Sequence, residues 1–133
     1  MLNNNKALLQ QSQIVIYKSP SGETKIDVRF DGDTVWLTQN SLAELFQTTK
    51  NNISMHVKNI FEEGELYQNT TVKKFLTVRK EGVREVSRDT EYYNLDLIIS
   101  VGYRVKSSIA TAFRQWATAE LADIRAGFGK RKG

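Results

Sequence analysis

Apolar and polar residues alternate with period two in "KIDVRF" (25–30), between the short β-branched run "IVIY" (14–17) and the apolar run "TVWL" (34–37). The turn-prone runs "SPSGE" (19–23) and "DGD" (31–33) separate them, so the pattern predicts a small antiparallel meander. From residue 38 the period lengthens. Leu42, Leu45 and Phe46 share one helical face, and Thr38 can cap the helix "QNSLAELF". After "QTT", Ile53, Val57, Ile60 and Phe61 recur at i, i+4, i+7 and i+8. That stripe predicts a second helix from about Lys50 to Glu63, with Gly64 as its stop. The period then returns to two. "TVKKFLTVR" (71–79), a "KEG" turn at 80–82 and "VREVSRDTEYYN" (83–94) predict a β-hairpin. "LDLIISVGYRV" (95–105) begins as a helix. Ser107 or Ser108 is expected to cap a long final helix carrying Ile109, Phe113, Trp116, Leu121 and Ile124.

The expected fold class is α+β: a small antiparallel meander, a helix-turn-helix with a basic β-hairpin wing, and a long C-terminal helix, winged-helix-like in arrangement. One domain is expected over residues 14–128, after a flexible or weakly helical N-terminus (1–13) and before a basic tail (129–133). A chain of 133 residues with 40% hydrophobic content can bury a core of its own.

Composition narrows the chemistry. There is no cysteine, which excludes a disulfide framework, a thiolate zinc site and a cysteine nucleophile. The longest apolar runs, such as "LIISV" (97–101), are too short to span a bilayer, and "MLNNNKALLQQSQ" lacks the apolar core of a secretory signal. A cytoplasmic protein without a membrane partner is the default expectation. The net charge of +4 is compatible with a polyanion partner. Its distribution says more: basic residues crowd Lys73 to Arg88, Arg104 to Lys106, and Lys130 to Lys132, while residues 37–64 are nearly balanced. If the partner is DNA, phosphate neutralisation has to come largely from outside the helical hairpin.

A DNA-reading helix-turn-helix needs a small residue where its helices touch and an apolar residue inside the second helix. Ala43 and Ile53 stand at those spacings, backed by Leu42 and Phe46. Gln47 occupies the turn position that often holds glycine, where a left-handed conformation costs more for a larger residue. With Ile53 in the core, Asn51, Asn52, Met55, Lys58 and Asn59 fall roughly opposite it, and Thr48, Thr49 and Lys50 sit at the helix N-terminus. Thr49, Asn51, Asn52, Met55, Lys58 and Asn59 are the candidate base-reading residues: asparagine pairs with adenine, and threonine and methionine touch a thymine methyl. Lys50, Lys73, Lys74, Arg79, Lys80, Arg84, Arg104 and Lys106 are the candidate phosphate contacts. The plain alternatives are a helical hairpin with a solvated polar face and an edge strand guarded by lysines.

The run "YYNLDLIISVGYRV" (92–105) followed by "FRQWA" (113–117) resembles the RhuM family of bacterial proteins, and "WLTQNSLAELF" (36–46) and "HVKNIFEEGEL" (56–66) are similar to its upstream half. The resemblance covers roughly residues 14 to 128. More distantly, the tyrosine-led helix and "FRQW" resemble the N-terminal domains of phage antirepressors and viral Bro proteins. The resemblance implies a virulence-associated DNA-binding protein encoded near restriction-modification genes. Longer members of the family continue where this chain departs after "AGF" (126–128) into "GKRKG".

The expected function is sequence-specific binding of double-stranded DNA, in transcriptional or mobile-element regulation. The alternative is a protein-interaction or assembly module with only non-specific polyanion affinity. It would dimerise through Ile109, Phe113, Trp116 and Leu121, or recruit further protein partners. An enzyme is not expected. No glycine-rich strand-to-helix fingerprint is present, the single histidine, His56, builds no usual zinc site, and Glu62, Glu63 and Glu65 read as solvated charges. No cofactor and no metal are implied.

Overall fold

The structure, a computed structural model, describes residues 12–127. Three strands open it: β1 (Gln13–Lys18), β2 (Lys25–Asp31) and β3 (Thr34–Leu37). Two helices follow, α1 (Gln39–Leu45) and α2 (Lys50–Glu62), then a single turn, α3 (Gln68–Thr71). The hairpin is β4 (Val72–Glu81) and β5 (Arg84–Asn94), and α4 (Leu95–Val105) and α5 (Ser107–Arg125) complete the chain. All five strands form one antiparallel sheet in the order β1-β2-β3-β5-β4. The expected α+β class and meander are therefore present. Gln13, assigned to the N-terminal tail by its polarity, pairs with Phe30 inside β1. The rest of the expected tail up to residue 11, and the basic tail at 129–133, lie outside the described residues.

The turn of the hairpin differs from the expected "KEG". Glu81 pairs with Arg84, so Gly82 and Val83 form a two-residue turn. Gly82 takes φ +66, which a tight hairpin turn requires and which costs glycine least. The difference matters because register decides sides. A turn over 80–82 would have faced Arg79 with Val83, whereas the observed register faces Arg79 with Val86 and Thr77 with Arg88.

One face of the sheet is the core face. Tyr17, Ile26, Val28, Phe30, Val35 and Leu37 alternate onto it and are buried under the helices. Phe113 and Trp116 of α5 pack edge-on against Tyr17 and Phe30, so the final helix spends its largest apolar groups on the meander. Gly102 sets how closely α4 can approach: a Cβ there would lie 2.5 Å from Phe46 Cζ and 2.6 Å from Ala110 Cβ. The cap of α5 corrects the sequence expectation. Its N-cap is Lys106 and no side chain closes it, so neither Ser107 nor Ser108 plays that part. By contrast Asn94 caps α4, accepting from Leu97 N–H at 3.1 Å and donating to the carbonyl of Thr70 at 3.3 Å.

In the backbone ladder the meander and the hairpin are joined by two residue pairs, Trp36 with Asn94 and Leu37 with Tyr93. Leu37 runs directly into Thr38, whose hydroxyl accepts from Ser41 N–H and caps α1. The sheet joint and the start of the helical pair are consecutive in the chain.

Candidate nucleic-acid interface

α1 ends in a left-handed turn. Gln47 sits at φ +56, Gln47 N–H bonds the carbonyl of Glu44 at 3.2 Å, and Thr48 N–H bonds that of Ala43 at 2.9 Å. These are the paired closing bonds of a left-handed helix cap, usually built on glycine. α2 ends in the same way on Gly64, with bonds to Phe61 and Ile60. Within the turn Thr49 caps α2, accepting from Asn52 N–H at 3.0 Å. Gln39, at the start of α1, reaches across to donate to the Lys50 carbonyl at 3.0 Å and to the Ser54 hydroxyl. The two helices are thus locked by backbone bonds at the turn and side-chain bonds across their N-termini. Ala43, Leu42, Phe46, Ile53 and Val57 are all buried between and behind them.

The candidate base-reading residues separate into three groups. Asn51, Met55 and Lys58 face outward, Met55 with 48% of its surface exposed and Lys58 in a 3.8 Å ion pair with Glu62. Asn52 and Asn59 are half-buried on the flank, and the Asn52 amide is engaged, donating to the Thr48 hydroxyl at 2.9 Å. Thr49 is exposed, but its hydroxyl is occupied by the cap. His56 is half-buried, with a buried Nδ1 that has no hydrogen-bond partner.

The candidate phosphate contacts do not form one stripe. Lys50 is exposed at the N-terminal end of α2, where helix amides favour an anion. In the hairpin, strand alternation splits the cations. Val72 and Tyr93 line a cleft of about 340 Å³ with Ser54, Val57, Lys58 and Phe61 of α2, so their strand face is the one beside α2. Lys74 and Lys80 share that face with Glu85, Asp89 and Glu91. Lys73, Arg79 and Arg84 share the opposite face with Arg88. Lys73 is further committed: it lies 3.6 Å from Asp31 and over the rings of Phe75 and Trp36. Arg104 is the clearest departure from a free phosphate contact. Its guanidinium donates to Glu63 at 2.6 Å and to Glu65 at 2.9 Å, tying α4 to the end of α2. Those bonds hold the Arg104 pKa above its ordinary value and the Glu65 carboxyl below the usual range. Lys106 is exposed at the junction of α4 and α5.

Sequence reasoning did not single out Gln39 as the strut of the turn or Arg29 of the sheet. A polar residue at the first helical position was a usable signal for Gln39. Of the proposed dimer residues, Phe113 is fully buried, and Ile109, Trp116 and Leu121 are half-buried against the core. Among the described residues no group of acidic or histidine side chains is placed to hold a metal ion, and no helix is long and apolar enough to cross a membrane.

No curated protein and no solved structure matches the chain significantly. The similar segments "WLTQNSLAELF" (36–46) and "HVKNIFEEGEL" (56–66) both precede the part of the chain that a family does match. That part runs from α3 through α5: residues 70–129 match the Virulence protein RhuM family, the family that the tyrosine-led run and "FRQWA" resemble.

Proposed function

We propose that this domain binds double-stranded DNA through α2 in the manner of a winged helix, and that it acts in regulation rather than catalysis. The observation that carries the reading is the locked pair α1–α2. Its left-handed turn at Gln47 and the burial of Ala43 and Ile53 leave Asn51, Met55 and Lys58 outward on one exposed face. The connectivity supports it too. A strand, two helices and a hairpin, with the returning strand β5 paired to β3, set the hairpin beside α2. The N-terminal end of α2 approaches the duplex, because Lys50 and the helix amides lie there and Glu62 and Glu63 lie at the other end. Asn51 reads a base edge, Met55 packs on a thymine methyl, and Lys50, Lys74 and Lys80 hold phosphates.

The test is selection of bound duplexes from a random library, followed by salt titration of binding to enriched and scrambled sites. The expected result is an enriched motif bound at least about a thousandfold more tightly than its scramble. An Asn51→Ala variant should narrow that gap without changing the salt slope, and Lys74→Ala should flatten the slope on every sequence. Failure to enrich any motif, with equal losses on all DNA, would overturn the reading.

A further inference from the structure

The face of the sheet turned away from the helices carries a cluster that the reading helix does not use. Register places Arg29 beside Trp36, and Lys73 beside Tyr92, all on this open face. The Arg29 guanidinium lies 4.4 Å from the ring centre of Phe75 and 4.9 Å from that of Tyr92. Phe75 in turn packs edge-on against Trp36 and Tyr92. Arg29 has no carboxylate partner among the described residues, and its Nε–H is buried without a hydrogen-bond acceptor. Two rings hold its guanidinium, with Asp27 and Asp31 two positions away on the same face of β2.

The charge of the two faces differs. On the helix side of the hairpin, Glu85, Asp89 and Glu91 outnumber Lys74 and Lys80. On the open side Arg79 and Arg84 add to Arg29, Lys18 and Lys25 at the β1–β2 end stand against Asp27, and Lys73 and Arg88 are paired to Asp31 and Glu81. The open face therefore presents the half-buried rings of Phe75 and Tyr92 over the buried Trp36 in an excess of positive charge, flanked by the exposed Ile14 and Ile16 on β1.

We propose that this open face is a second nucleic-acid surface, and that it takes an unpaired strand. A duplex presents its phosphates on a convex rod and keeps its base faces stacked inside, so rings lying flush with a sheet find nothing to touch. An unpaired strand offers base faces that lie on ring edges and a guanidinium plane, while its phosphates run along Arg79 and Arg84. A second copy of the chain fits worse, because a two-fold contact would bring the same excess of cations against itself. The surface is separate from α2, so one molecule can hold a duplex on one side and a single strand on the other.

The experiment is fluorescence anisotropy of the whole chain with labelled oligo-dT and oligo-rU of about twenty nucleotides, a length spanning one domain's site with room to spare. Binding should be salt-dependent and should persist when an unlabelled duplex saturates α2. Phe75→Leu keeps an apolar group at the platform, and Arg79→Glu/Arg84→Glu lies away from the core. Each should weaken the single strand about tenfold or more, while Asn51→Ala leaves it unchanged. Thermal melts of the same variants separate loss of fold from loss of the surface. A preference between the two oligonucleotides names the strand as DNA or RNA. The proposal is overturned by absence of binding, by binding that a duplex displaces and Asn51→Ala abolishes, or by self-association that Ile16→Asp removes together with the oligonucleotide affinity. If duplex selection fails while the single strand still binds, the reading of α2 falls and this one stands.

Discussion

At its root the β4–β5 hairpin is held by the rest of the molecule. Val72 and Tyr93 lie beside α2, Phe75 and Tyr92 interlock with Trp36 and Arg29, and Asn94 ties the end of β5 to α3 and α4. At its outer end the same two strands have only each other. Leu76 and Val78 are more than half exposed and Val83 is fully exposed at the turn. Their order rests on the cross-strand ladder, the Thr77–Thr90 hydroxyl contact and the conformation of Gly82. One element is therefore tertiary at one end and local at the other. Two isolated strands are marginal in water, so amide exchange should be slow at Leu37 and Tyr93 and fast beyond Val78.

Substitutions along this gradient sharpen or break the contrast. The largest effect belongs to the core that anchors the root. Phe113→Ala should cost about 3–5 kcal/mol in chemical denaturation, and exchange at the root should accelerate with it while the outer end scarcely changes. Phe75→Ala comes next, at about 2 kcal/mol, because it removes two ring pairs and the support of Arg29; it should extend fast exchange inward to Tyr92. Gly82→Ala places a side chain at φ +66 and should cost about 1 kcal/mol. That loss should appear as weakened cross-strand nuclear Overhauser contacts near the turn, with the helices untouched.

Acid makes a smaller change elsewhere. The Arg104 hydrogen bonds hold the Glu65 carboxyl below its ordinary range, so their stabilisation is complete above the ordinary glutamate pKa and is lost as the pH falls through the lowered value. Exposure keeps the effect slight. Acid titration by NMR should show the α2–α4 junction loosening in that window, and Glu65→Gln should remove the dependence. Smallest of all, Val83→Ser should change stability by no more than about 0.5 kcal/mol. A large loss there would mean that the outer end is not local after all.

The elements themselves were legible. Alternation in β2, and short apolar runs between turn signals in β1 and β3, placed the three strands within a residue or so, and the Ile53–Phe61 stripe placed α2. α3 was not legible: four residues carry no period, and the burial of its Thr71, whose hydroxyl donates to the Tyr67 carbonyl of the same turn, is a tertiary fact. In the candidate site, alternation alone already separates Lys73 from Lys74. Which of them joins Arg84 and Arg88 depends on the register, which the turn at Gly82–Val83 decides. The pairing of Arg104 was hidden for another reason. Its partners Glu63 and Glu65 are some forty positions away, and only the packing of α4 against α2 brings them together.

The two-pair joint between β3 and β5 has a mechanical consequence. A ten-residue strand extends about 33 Å, so the hairpin is a long lever whose backbone is joined to the meander over two residues and whose root is braced by the Arg29, Trp36 and Phe75 contacts. A sideways load at its far end is multiplied at Leu37 and Trp36, and the next residue along is Thr38, on which α1 begins. Whatever grips the hairpin thereby applies torque to the helical pair, making the clamp a place where strain on one surface is felt by the other.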